Sequence, residues 1–213
     1  MKKYLCLLPL LMAVFTFLVL NFLGFGPKKI TNAAIDTATL STTVLEYLSF
    51  SLTAGDEVTF GNLTPGTAIF APATGTVGSV STNAANGYTL GIHDGVAAPN
   101  SSMLHTDEST RIPKMTNGTI ATPVTWGTNT GVGITLYAAD TSKNAKWGTG
   151  TTYNDANNKY AAIPEGATTA HTVTGTVSGA DTSSWAFGID VSNSQKTGSY
   201  SGDVTFTATA VLL

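Results

Sequence analysis

Cysteine is almost missing from this chain of 213 residues: Cys6, inside an apolar N-terminal stretch, is the single one. Past that stretch no disulfide and no cysteine-based metal site can form, which excludes a small disulfide-stapled scaffold. Charge is scarce too. Asp, Glu, Lys and Arg make up 11% of the residues, against about a quarter in an ordinary soluble domain. The surface is therefore neutral and rich in Thr, Ser, Asn and Gly, as suits an exposed envelope protein better than a cytosolic enzyme. Four of the ten basic residues (Lys2, Lys3, Lys28, Lys29) precede residue 35 and no acid does, so the remainder carries a formal charge of −7. An acidic domain without a basic patch is a poor nucleic-acid binder, and no nucleic-acid partner is expected.

Motifs of catalysis are missing as well. Neither H-E-x-x-H nor a phosphate-binding G-x-x-x-x-G-K-[ST] occurs. G-x-S-x-G is absent, since Gly198-Ser199-Tyr200-Ser201-Gly202 places Tyr200 where the nucleophile would stand. No enzyme and no cofactor are expected. His93, His105 and His171 have no ligand spacing and read as surface or loop histidines. Calcium takes carboxylate, amide and carbonyl oxygens. The weak candidates for it are the oxygen-rich loop Tyr153-Asn154-Asp155-Ala156-Asn157-Asn158 and the pair Asp107-Glu108, each weighed against a plain turn.

Residues 1–34 are expected to be a targeting segment outside the fold. Lys2 and Lys3 form its positive start, Tyr4 to Phe25 is almost continuously apolar, and a cleavage site fits at Thr31-Asn32-Ala33 or Asn32-Ala33-Ala34. A signal-peptide core runs to about 15 residues, whereas about 20 apolar residues can span a bilayer. The segment is thus either a cleaved signal peptide or an N-terminal anchor. Membrane contact is expected only through residues 4–25, and the location expected is extracellular or at the cell surface. No sorting signal is expected after the last strand, so attachment would use this segment or a partner.

What remains, residues 35–213, reads as a single β-sandwich domain of Ig-like or jelly-roll type. Helical periodicity is absent there, and short period-2 strands alternate with turn signals. The C-terminal stretch organises the chain. Trp185, Phe187, Ile189 and Val191 share one parity. Tyr200, Val204, Phe206, Ala208, Ala210 and Leu212 share another, opposed by Thr205, Thr207 and Thr209. The two runs are expected to face each other across Ser192–Gly198, a hairpin or a longer strand-to-strand loop. Thr43 to Leu52 and Thr76 to Thr82 read as strands. Asn86-Gly87 carries a hairpin signal, followed by the alternation Tyr88, Leu90, Ile92. Thr172 to Val177 reads as one more strand.

Residues 93–170 are less regular, with short strands expected at Ile120–Trp126, Gly133–Tyr137 and Lys159–Ile163 among long surface loops. Trp126, Trp147 and Tyr153 are the candidate binding-loop aromatics, since exposed rings stack on sugars or anchor protein partners. The competing reading has such rings closing an open edge of the core. An isopeptide bond between outer strands is not expected, because the first and last strands hold neither Lys nor Asn in their cores.

Two stretches carry a resemblance. Gly198-Ser199-Tyr200-Ser201-Gly202-Asp203-Val204-Thr205-Phe206-Thr207-Ala208 resembles the closing strand of bacterial surface Ig-like domains and of WxL-type surface proteins. Ser79-Val80-Ser81-Thr82-Asn83 with Asn86-Gly87-Tyr88-Thr89-Leu90 resembles a segment of uncharacterised exported proteins of candidate-phylum bacteria. The domain is loosely similar to camelysin and TasA-like fibre proteins. Trp126, Trp147 and Trp185 are followed by Gly, Gly and Ala, so the tandem Trp-x-Leu motif is absent and peptidoglycan attachment is not implied. The resemblance implies a non-catalytic cell-surface sandwich, structural or adhesive. Its partners would be envelope components, copies of itself, or a host or neighbour surface ligand. The alternative is a monomeric binding module for glycan or protein.

Overall fold

Alternation of apolar and hydroxyl side chains produces strands throughout the computed structural model, which describes residues 37–95, 101–141 and 143–212. The targeting segment, Cys6 and the Tyr4–Phe25 run lie outside the described residues. Val44–Leu213 forms one compact unit.

The strands are β1 (Leu48–Ala54), β2 (Ile69–Thr82), β3 (Tyr88–Asp94), β4 (Ser101–His105), β5 (Arg111–Pro113), β6 (Val124–Thr125), β7 (Gly131–Ala139), β8 (Lys159–Ala162), β9 (Thr168–Val173), β10 (Val177–Asp190), β11 (Tyr200–Ser201) and β12 (Val204–Ala210), with a 3-10 turn at Ala145–Trp147. The architecture is all-β, built of open antiparallel sheets as in a β-sandwich. One sheet has six strands in the order β1-β2-β10-β7-β8-β6. Two three-stranded sheets, β12-β3-β9 and β11-β4-β5, complete the set.

The C-terminal runs do face each other, but from different sheets. β10 pairs with β2 and β7, whereas β12 pairs with β3. Ser192–Gly198 is therefore a loop between sheets and not a hairpin. Asn83–Gly87 is corrected in the same way. Gly87 turns at φ 78, yet β2 and β3 do not pair, and the turn carries the chain from one sheet to the other. The strand read at Thr172–Val177 is broken by Gly175 (φ 87), which separates β9 from β10. Of Ile120–Trp126 only Val124–Thr125 is strand. The section 93–170 is more regular than its composition suggests, because β7 lies inside the six-stranded sheet between β10 and β8.

The main core lies between the sheets. Val80, Ile134, Leu136, Trp185 and Ile189 from the large sheet meet Tyr88, Leu90, Ile92, Ala170 and Val173 from β3 and β9, all nearly free of solvent. A second apolar cluster of Met115, Trp126 and Tyr160 packs with Phe70 and Val124. It uses the opposite parity of β7 and β10. A Cβ on Gly188 would come within 2.6 Å of the Trp126 ring, and one on Gly133 within 3.1 Å. These glycines form the flat slot in which the indole lies.

Candidate functional site

The flank formed by β1 and β12 is where the sandwich is least finished. β12 ends its sheet, pairing only with β3, in unbroken register from Val204↔Asp94 to Ala210↔Tyr88. It contains no charge, no proline and no bulge, the devices that usually blunt an edge strand. Thr205, Thr207 and Thr209 are exposed on its outer face. β1 ends the large sheet, with Ser49, Ser51 and Thr53 outward and one irregularity between Leu52 and Ala54. The inward residues of both edges (Leu48, Phe50 and Leu52; Val204, Phe206, Ala208 and Ala210) are only half-buried, whereas Tyr88, Leu90 and Ile92 of β3 are fully buried. A gap of about 170 Å³ separates Leu52, Val58 and Phe60 from Val204 and Phe206.

Upstream of β1, residues 37–47 belong to no strand. Leu40 is 94% exposed, Val44 80% and Leu45 81%. Asn83 fixes the point where β1 begins. Its amide donates to the Leu45 carbonyl at 2.8 Å, and its carbonyl oxygen accepts from the Tyr47 N–H at 2.6 Å.

A cleft of about 690 Å³ opens beside this flank, between the segment 58–65 and the loop Gln195–Tyr200. Its floor is apolar, with Met103, Ile112, Ile189 and Val191. The Tyr200 hydroxyl donates to the Lys196 carbonyl at 2.7 Å and accepts from the Gln195 amide at 2.7 Å. This is the backbone-anchoring role of a tyrosine at a strand corner. His105 supports the loop from behind. Its Nδ1 lies 3.0 Å from the Asp107 N–H and 3.1 Å from the Asp107 carboxylate, and its Nε2 lies 3.2 Å from the Thr197 carbonyl. Gly198, at φ 138, leaves room for that ring: a Cβ would lie 2.1 Å from Nε2. The Lys196 ammonium, 2.7 Å from Asp107, acts with the Thr110 and Ser109 N–H groups to hold the Asp107 carboxyl well below the usual carboxylate range.

The aromatics expected to serve as binding residues are not brought together on a surface. Trp147 is fully buried, donates Nε1–H to the Ala170 carbonyl at 3.3 Å and meets Trp185 edge to face at 5.7 Å. Trp126 is 7% exposed in its glycine slot, against Phe70 and Tyr160. Neither has a free ring face for stacking, because each fills a gap in an apolar cluster. Tyr153 is half-buried, and its carbonyl accepts from Tyr160 at 3.3 Å.

The oxygen-rich loops are occupied by their own donors. Asp155 accepts from Asn157 N–H at 2.9 Å, and Asp107 from Ser109 and Thr110 N–H. Among the described residues no three His, Cys, Asp or Glu side chains cluster as metal ligands. Two of the histidines are not at the surface: His105 and His171 are 7% and 3% exposed, because both sit on strands that pack inward.

Sequence reasoning missed a buried polar clasp. The Tyr88 hydroxyl of β3 donates to the Asp181 carboxylate of β10, whose other oxygen accepts from Thr141 Oγ1 at 2.5 Å and Thr141 N–H at 3.2 Å. His171 stands beside the Tyr88 ring, 6.4 Å between centroids, with Nε2 unpaired. Burial lowers its pKa, the nearby Asp181 opposing and Lys146 adding to the effect. Tyr88 looked like an ordinary core position, and nothing near Asp181 in the sequence marks it as buried.

Comparison of the chain with protein-family models, curated proteins and solved structures returned no match.

Proposed function

We propose that this is a non-catalytic exported protein of the cell surface, an Ig-like or jelly-roll sandwich with a structural role, which assembles into a fibre or surface layer by strand addition. One observation carries the reading. The segment before β1 lies outside the sheets and exposes Leu40, Val44 and Leu45, in a molecule whose β12 is an uncharged edge strand without a bulge. Such an edge accepts a further strand through main-chain hydrogen bonds, with side chains entering alternate pockets. The segment has a largely alternating pattern: Ala38, Leu40 and Val44 share one parity with Thr42, and Thr37, Thr39, Ser41 and Thr43 share the other with Leu45. Export rests on Lys2, Lys3 and the apolar run Tyr4–Phe25.

The test is to shear the protein from cells and size it unboiled. A high-mass ladder that collapses to monomer when the chain is cut at Ser41, with folding intact, supports the reading. A sharp monomer peak from the uncut chain overturns it.

The cleft over Met103, Ile112, Ile189 and Val191 favours a second reading, a monomeric module that binds a glycan or protein. Its volume is that of an ordinary ligand site. Trp147 is not the residue to test here. Loss of ligand binding in Gln195→Ala or Asn62→Ala, both at the cleft wall, would support this alternative.

A further inference from the structure

Asn-Gly occurs twice in the chain, at Asn86-Gly87 and at Asn117-Gly118. The nitrogen that follows an asparagine can close a five-membered ring on the carboxamide carbon, because chain connectivity alone keeps the two atoms close. Glycine hinders this least, since it carries no Cβ and its backbone is the most free. What differs between the two pairs is how the fold uses the glycine N–H.

Gly87 is engaged on both sides. Its N–H donates to the Ala84 carbonyl at 3.1 Å, and its carbonyl accepts from Val211 N–H at 2.9 Å. Gly118 is engaged on one side. Its carbonyl accepts from Ala162 N–H at 3.2 Å, but its own N–H bonds to none of the described residues. Asn117 is exposed, in a bend between β5 and β6, and its Nδ2 donates to Asn129 Oδ1 at 2.7 Å. Asn129 in turn is 7% exposed, and its Nδ2 donates to the Trp126 carbonyl at 2.6 Å. The Asn117 carboxamide therefore latches the turn that carries the Trp126 indole.

We propose that Asn117 is a site of spontaneous deamidation in the folded protein, that its conversion unlatches the Trp126 turn, and that the fold protects Asn86. Hydroxide takes the Gly118 amide proton, and the nitrogen attacks Asn117 Cγ. The Cγ–Nδ2 bond breaks, Nδ2 takes up a proton and ammonia leaves. Water then opens the cyclic imide at either carbonyl, which leaves aspartate or an isoaspartyl link. The sum is one water in and one ammonia out, with no oxidant, reductant or cofactor. The new carboxylate has no N–H to offer and sets its charge against Asn129 Oδ1, a buried acceptor that has lost its donor. The isoaspartyl form also adds a carbon to the backbone beside Gly118, which displaces the carbonyl that Ala162 uses. At Asn86 the same ring requires the Gly87–Ala84 hydrogen bond to break first.

The experiment incubates the folded, full chain in mildly alkaline buffer made with water enriched in heavy oxygen. Tandem mass spectrometry of its peptides then reads which asparagine has exchanged its amide group for a labelled oxygen. In the folded chain Asn117 should convert about tenfold faster than Asn86, the factor that one backbone hydrogen bond imposes. In urea the two should convert at similar rates. Equal rates in the folded chain, a faster Asn86 or an unmodified Asn117 overturns the proposal, and so does a difference that persists in urea, which would belong to the local sequence. Gly118→Ala is not a usable control, because its Cβ would lie 2.7 Å from the Tyr160 carbonyl. Asn117→Asp installs the product carboxylate directly and should shift tryptophan emission to the red. An unchanged emission overturns the unlatching. Neither export nor assembly enters these outcomes.

Discussion

Trp185 of β10 and Phe206 of β12 meet edge to face at 5.7 Å, although they belong to different sheets and are joined by a loop that pairs neither strand with the other. The same indole takes the Trp147 ring at 5.7 Å on another side. Three aromatics thus bridge the 3-10 turn, the large sheet and the β12 edge.

Truncating this bridge should be costly in proportion to burial. Trp185→Ala removes a fully buried indole and should cost about 4 kcal/mol. Phe206→Ala, at a half-buried position, should cost about 3 kcal/mol. Urea denaturation of both single variants and the double variant measures their coupling, expected at about 1 kcal/mol. Strict additivity would mean that the rings do not support each other.

The Tyr88–Asp181 clasp predicts an alkaline limit. Burial first, and then the carboxylate that Tyr88 donates to, raise the phenol pKa well above its ordinary 10.0. The folded state holds this proton more tightly than the unfolded chain, so its contribution is complete below pH 10 and is lost as pH rises beyond it. Tyr88→Phe should cost about 1.5–3 kcal/mol near neutrality, by removing a hydrogen bond to a charged group. It should also flatten the fall in stability above pH 10. An unchanged alkaline slope would remove Tyr88 as its source.

His171 predicts the opposite limit. Its pKa lies below the ordinary 6.5, because burial opposes the charged ring. The unfolded chain therefore protonates first, and stability declines as pH falls through 6.5. His171→Leu should remove that part of the decline. The steeper loss at lower pH should remain, because the Asp107, Asp140 and Asp155 carboxyls are held below their usual range by hydrogen bonds. Thermal melts from pH 2 to 8 separate the two.

The Trp126 slot predicts that a single methyl group is harmful at positions that look tolerant. Gly188→Ala drives a Cβ into the indole, and Gly133→Ala presses on Met115 Sδ at 2.7 Å. Each should cost about 1–3 kcal/mol by overpacking. Tryptophan emission should shift to the red as the ring is displaced. A neutral Gly188→Ala would mean that Trp126 is loosely held and available to a ligand.

Much of the strand pattern is legible without coordinates. Tyr88, Leu90 and Ile92 read as one buried face, and all three are fully buried. Trp185, Phe187, Ile189 and Val191 read as another, and all are buried. Leu48, Phe50 and Leu52 point inward on β1 as their parity requires. A period of two is a local property, set by the alternation of side chains along each strand. The candidate site was less legible. The unpaired edge of β12 is visible only once its partners are known, and its threonines look the same on an edge as inside a sheet.

By itself, then, the amino-acid sequence determined the all-β class, the inward parity of the long strands and the lack of charge along the C-terminal edge. These follow from neighbouring residues alone. Tertiary structure decided which strands pair, because Asn-Gly turns a chain equally well within a sheet or between two. It decided that Trp126 and Trp147 are core residues, since the glycines and strands that enclose them are distant in sequence. It also brought Tyr88 to Asp181 and to the His171 ring. In each case the chemistry arises from contact between residues that no local period connects.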